Sequence, residues 1–99
     1  MWILQSPDGG DEGDSWTFRI ASPGHKTLGR APTADFVIEA ALVSRFHCRL
    51  NLDADGNLTI EDLKSTNGTH VNDARVDRSS LKDGDRIRIG RVELVVARA

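Results

Sequence analysis

A chain of 99 residues fits one domain, able to bury roughly 60–70% of its unfolded surface, and its 38% hydrophobic content argues against disorder. A formal charge of -2, from 13 basic and 15 acidic residues, argues against a general nucleic-acid binder, which needs a net basic surface, yet leaves room for a local basic site. One cysteine, Cys48, excludes an internal disulfide and fits a reducing compartment; with no leader peptide and no apolar run near the ~20 residues of a membrane span, the chain reads as cytoplasmic and soluble.

Short apolar runs follow one another along the chain: Trp2–Leu4, Trp16–Ile20, Lys26–Leu28, Phe36–Ile38, His47–Leu52, Leu58–Asp62, His70–Val71, Arg86–Ile89 and Glu93–Ala97. Turn signals separate them, among them Ser22–Gly24, Asp53–Asn57, Asp83–Gly84 and Gly90–Arg91. Gly9–Asp14 reads as an acidic, mobile hairpin loop. Cys48, Leu50 and Leu52 alternate with polar Arg49 and Asn51, and Ile87 and Ile89 alternate with Arg86 and Arg88. Val92, Leu94 and Val96 repeat the pattern, which Val95 breaks. Period two is the strand signature, because successive side chains of a strand point to opposite faces. Many short strands with such punctuation predict a single all-β domain, a two-sheet sandwich over residues 1–99. Ser79–Lys82 admits at most one helical turn.

Residues 62–72 carry the most information. Ser65, Thr66, Asn67, Gly68, Thr69 and Asn72 crowd the connection between two strands, where a plain hairpin needs only two turn residues. Donors gathered on a loop, with Arg30, Ser44 and Arg45 upstream, suit an anionic ligand, phosphate above all. The other reading is a long polar loop whose hydroxyls only satisfy their own backbone.

Three further chemistries are considered on the same residues. Ser44, His47 and Asp62 invite a Ser-His-Asp reading, but the nucleophile elbow is absent: Leu42 and Val43 precede Ser44, and Arg45 and Phe46 follow it. Asp53–Asn57 resembles the start of a calcium loop, yet its sixth position holds Leu58 instead of glycine and its twelfth Lys64 instead of glutamate. It reads as a hairpin turn. Cys48 has no partner at zinc-finger spacing. Neither metal nor cofactor is expected.

Together, Gly29–Arg30, Ser44–His47, Asp62–Asn72 and Leu81–Asp85 with Ile87 and Gly90 resemble the forkhead-associated (FHA) domain, over about residues 28–96 and in family order. The resemblance implies a two-sheet antiparallel sandwich with its ligand site on loops at one end. It implies a non-catalytic module that binds phosphothreonine in a partner protein or peptide, most simply as a monomer, with neither nucleic acid nor membrane as partner. Arg30 would contact the phosphate, since a guanidinium offers a fork of donors and keeps its charge. Ser44 would donate through its hydroxyl, and often its backbone N–H, while Arg45 would add a second cation and Thr66 a further donor. Asn67 and Asn72 would hydrogen-bond the peptide main chain. Gly29, His47 and Gly68 would support the site, His47 by bracing two loops and Gly68 through a positive φ. Leu42 stands where some relatives carry a basic specificity residue, so an aliphatic preference replaces an acidic one. Asp73 departs from the family's usual glycine, and its charge would weaken phosphate binding if it pointed inward. The alternative is a phospho-independent interaction module using the sandwich faces.

Overall fold

Alternating apolar side chains form strands wherever a neighbouring strand completes the hydrogen-bond ladder. The computed structural model, which describes residues 1–7 and 15–99, shows eleven strands among those residues. They are β1 (Trp2–Gln5), β2 (Thr17–Ile20), β3 (Gly24–Gly29), β4 (Phe36–Val37), β5 (Cys48–Leu52), β6 (Leu58–Asp62), β7 (Thr69–Val71), β8 (Ala74–Val76), β9 (Arg78–Leu81), β10 (Arg86–Ile89) and β11 (Val92–Arg98). A six-stranded sheet in the order β2-β1-β11-β10-β7-β8 packs on a five-stranded sheet in the order β4-β3-β5-β6-β9. Every pairing is antiparallel except β3 with β4, which is parallel. The expected all-β antiparallel sandwich is therefore found, and no helix among the described residues is long and apolar enough to cross a membrane. The acidic loop expected over Gly9–Asp14 lies outside the described residues.

One expectation is corrected. Ser79–Lys82 does not form a helical turn; Arg78–Leu81 is β9, paired antiparallel to β6 from Glu61↔Arg78 to Leu58↔Leu81. Only Leu81 of that strand is buried, so its own pattern carries almost no period-two signal, and the exposed edge of β6 decides its conformation.

The core lies between the sheets. Leu4, Leu28, Ile38, Cys48, Leu50, Ile60, Ile87, Ile89, Leu94 and Val96 are fully buried. Each large aliphatic side chain contributes about 1.5–3 kcal/mol relative to exposure. Val95, which interrupts the alternation, sits half-buried on the outer face opposite Arg86 and Gln5. Phe18 and Phe36 stack with centroids 4.6 Å apart and join the edge strands β2 and β4. Far from the candidate loops, the Trp2 indole donates to the Gly56 carbonyl at 3.0 Å, under the Arg98 guanidinium. The Asp53–Asn57 segment is a hairpin turn. The Asp53 carboxylate accepts from the backbone of Asn57 and Asp55, and the Asn57 amide leads the contacts that hold its carboxyl below the ordinary range.

The register directs the loops. Strands β3 and β6 run toward one end of the sandwich, and β5, β7 and β11 leave from it. The β3–β4, β4–β5, β6–β7 and β10–β11 connections consequently meet there.

Candidate functional site

The β4–β5 connection is long but not loose. Ile38 and Val43 are buried and pin it to the core. Its return is laced to the end of β3: the Arg30 amide donates to the Ser44 carbonyl and the Ala31 amide to the Arg45 carbonyl, each at 3.0 Å. That approach requires glycine at position 29. A Cβ there would lie 2.0 Å from the Arg45 carbonyl oxygen, well inside van der Waals contact. The Arg30 and Arg45 side chains are exposed and line one shallow depression with Glu39, Ala40 and Ala41. Glu39 brings an acid to this rim that its sequence setting does not announce.

His47 joins the β4–β5 loop to the β6–β7 loop. It is fully buried; its Nδ1 accepts from the Ser44 amide at 3.0 Å and its Nε2 meets the Gly68 carbonyl at 2.8 Å. An N–H donates to Nδ1 and a carbonyl faces Nε2, so the bonds assign the proton to Nε2. The Ser44 amide is thereby taken, and only the hydroxyl remains to serve a ligand. That hydroxyl oxygen accepts from the Thr66 amide at 3.1 Å, which leaves its own O–H free to donate outward.

The β6–β7 loop is built on Asp62. Its carboxylate accepts from the Ser65 amide and hydroxyl and from the Thr69 hydroxyl, while the Ser65 hydroxyl oxygen accepts from the Gly68 amide. Burial pulls the Asp62 carboxyl upward, but the hydrogen bonds from Ser65 and Thr69 outweigh it and hold the carboxyl below its usual value. The neighbouring Cys48 thiol is pushed up to about 12, first by burial and then by the Asp62 charge, against a Thr69 contact that lowers it. It is an inert core thiol.

Asn67 donates through its side-chain amide to the Leu42 carbonyl at 3.0 Å. Its carbonyl oxygen and second N–H are left for other partners. Leu42 is exposed and sits at φ 70, a conformation disfavoured for a bulky side chain. Two contacts hold it there, Asn67 on one side and the Gly90 turn on the other. A Cβ on Gly90, whose φ is +59, would lie 2.9 Å from the Leu42 carbonyl. Gly68 has φ +86 and passes directly into β7.

Arg30, Leu42, Ser44, Arg45, Thr66 and Asn67, with their supports Gly29, His47 and Gly68, thus gather at one end. Asn72 does not join them. It stands at the other end of β7, where its amide donates to Asp85 at 3.0 Å and its carbonyl accepts from the Arg86 amide at 3.0 Å. Asn72 and Asp73, at φ 50 and 69, form the two-residue β7–β8 turn, and the Asp73 carboxylate faces Arg86 and Arg88 on β10. Its charge is directed away from the gathered loops.

Ser44, His47 and Asp62 do not assemble into a Ser-His-Asp relay. The Ser44 hydroxyl faces the Thr66 amide and not a base, both His47 nitrogens are engaged by backbone groups, and Asp62 is committed to Ser65 and Thr69. No cluster of three or more metal-ligating side chains occurs among the described residues. The sequence analysis passed over Arg75 on β8, whose side chain lies on Gly68, and named Gly90 without placing it beneath Leu42. The signal for Gly90 was its place in a turn; Arg75 carried none.

A sequence model of the FHA domain matches residues 26–90. The chain is 47% identical over 75 residues to the ABC transporter ATP-binding/permease protein Rv1747 of Mycobacterium tuberculosis, a match covering 76% of this chain and 9% of that protein. It is 40% identical over 86 residues to the FHA domain-containing protein FhaA of the same organism, covering 87% of this chain and 16% of FhaA. The chain thus spans a small fraction of the length of these two relatives. A structure from a study of phosphothreonine-dependent FHA domain interactions superposes with a TM-score of 0.83 at 37% identity, covering 99% of this chain and 96% of that one. The FhaA FHA domain, solved in complex with the intracellular domain of Rv3910, superposes with a TM-score of 0.84 at 36% identity, covering 97% and 99%.

Proposed function

The chain belongs to the FHA domain family, and from that premise we propose that it is a non-catalytic module that binds phosphothreonine peptides and so recruits phosphorylated partner proteins. One observation carries the reading: three separate loops bring Arg30, Arg45, the free Ser44 hydroxyl and Thr66 to one rim, with His47 holding the loops in register. A phosphothreonine carries about -1.5 to -2 charges and three strong acceptor oxygens at neutral pH. Two guanidinium forks and a hydroxyl donor complement it. The donors sit on a rigid sandwich, so little ordering entropy is lost when the ligand docks. Asn67, with one N–H and its carbonyl unspent, suits the peptide main chain beside the phosphorylated residue. The exposed Leu42 beside it offers an aliphatic surface and no charge to a peptide side chain. The relatives support the same reading, since one superposing domain comes from work on phosphothreonine-dependent binding. The Asn72 side chain, bound to Asp85 and Arg86, is assigned to the turn and not to the peptide.

Calorimetry with a pool of phosphothreonine peptides, its unphosphorylated twin and an Arg30→Ala variant tests the proposal. Binding to the phosphorylated pool alone is expected, weakened by about 1.5–3 kcal/mol in the variant, the usual contribution of a hydrogen bond to a charged group. Equal binding of both pools would overturn it in favour of a phospho-independent module working through the sheet faces.

A further inference from the structure

Arg75 is a cation placed at the phosphate-binding end with no carboxylate paired to it among the described residues. It lies on β8, the edge strand of the six-stranded sheet, directly across from His70 on β7. Its side chain runs toward the β6–β7 loop and rests on Gly68. A Cβ built on Gly68 would lie 2.7 Å from the Arg75 Nε and 3.0 Å from its Cζ. Two other arginines of this outer face, Arg86 and Arg88, share Asp73. Among the described residues no acidic side chain forms an ion pair with Arg75. His70, half-buried beside it, supplies a second nitrogen donor on the same cross-strand row.

We propose that Arg75, with His70, forms a second anion subsite on the flank of the phosphothreonine pocket, where it receives a further anionic side chain of the same peptide; this rests on the phosphothreonine reading above. The contacts lead from one subsite to the other. The Arg30 amide donates to the Ser44 carbonyl, the Thr66 amide donates to the Ser44 hydroxyl, and Gly68, two residues on, packs under the Arg75 side chain. Two residues of loop span at most about 7 Å, and an extended peptide covers that distance in two or three residues at roughly 3.3 Å each. The second anion therefore belongs two or three positions from the phosphothreonine. Edge-strand exposure keeps Arg75 accessible, while packing on Gly68 limits the freedom a surface arginine would lose on pairing.

The test uses the whole chain and a ladder of peptides. Each carries one phosphothreonine, with alanine, glutamate or phosphoserine placed in turn at every position up to four residues on either side. Wild type is expected to prefer glutamate over alanine by roughly two- to fivefold at one position two or three residues away, as for an exposed ion pair. Phosphoserine, with about twice the charge, is expected to gain more; a gain confined to phosphoserine would identify a second phosphate, and equal gains a general acidic residue. In Arg75→Gln the preference should vanish while the alanine peptide still binds within about twofold. Arg75→Lys should keep part of the preference, which separates a charge-reading role from simple bracing of Gly68. No second-anion preference in wild type at any position, or a preference that survives Arg75→Gln, overturns the subsite even though phosphothreonine binding stands. Loss of all phosphate-dependent binding in wild type overturns the proposed function and the subsite with it.

Discussion

Replacing His47 with alanine strikes the one side chain that ties two site loops together without facing a ligand. The imidazole is fully buried, accepts from the Ser44 amide and donates to the Gly68 carbonyl. Alanine leaves both backbone groups without partners in a space too tight to solvate freely. Each such orphan costs about 1–3 kcal/mol. Lost ring packing adds to this, so a total of about 3–5 kcal/mol is expected, a large share of the ~5–15 kcal/mol that stabilises a domain. At roughly 4–8 °C per kcal/mol for a domain of this size, the melting midpoint should fall by at least 10 °C. Urea unfolding followed by the fluorescence of Trp2 and Trp16 measures it. His47→Phe refines the test, because it restores ring volume and neither hydrogen bond. If the bridge carries the effect, phenylalanine recovers less than half of the loss. A destabilisation below about 1 kcal/mol in His47→Ala, or near-complete recovery by phenylalanine, would refute the reasoning.

Gly29→Ala places a methyl 2.0 Å from the Arg45 carbonyl oxygen, so β3 and the β4–β5 loop must separate; a loss of about 3 kcal/mol or more is expected in the same urea assay, and a neutral result would show that the approach is not close. Asp62 has a folded pKa below its unfolded value, so its contribution is present above about pH 4 and is lost as the pH falls through the folded pKa. Asp62→Asn should remove that part of the acid dependence of stability, and an unchanged acid profile would argue against it. The Cys48 pKa is raised, to about 12, so its contribution is complete below the unfolded value near 9 and stability declines as the pH rises from there toward 12, by at most ~1.4 kcal/mol per unit. At pH 8 a thiol reagent should label Cys48 only as fast as the domain opens; labelling at the rate of a free cysteine would contradict its burial.

The strands that bury one face were legible because a half-buried strand must alternate. Cys48–Leu52 and Arg86–Ile89 show this directly, and their buried residues are those of the pattern. Strands β8 and β9 were not legible: apart from Leu81, their side chains lie at or near the surface, so pairing with β7 and β6 carries them and no hydrophobic period marks them. The loop polar residues suggested an anion site beside the reading of a plain polar loop, and it was the family pattern that singled out Arg30, Ser44, Thr66 and Asn67. Which donor stays free was not readable. The Ser44 amide is spent on His47 and its hydroxyl is not, a distinction set by a ring 0% exposed whose partners lie three and 21 residues away.

Asn72 and Arg75 show the same division most clearly. In sequence, Asn72 lies five positions after Asn67 and looks like its companion, but a strand carries the chain away at roughly 3.3 Å per residue, and β7 delivers Asn72 to the opposite end. Arg75 lies further along and returns, because the Asn72–Asp73 turn reverses the chain beside β7. Residue type and period are local properties, so the sequence by itself determined the β class, the core faces and the donor groups that the loops carry. Proximity across strands depends on register and on turns that act over many residues, so only the tertiary structure decided which of those residues stand together.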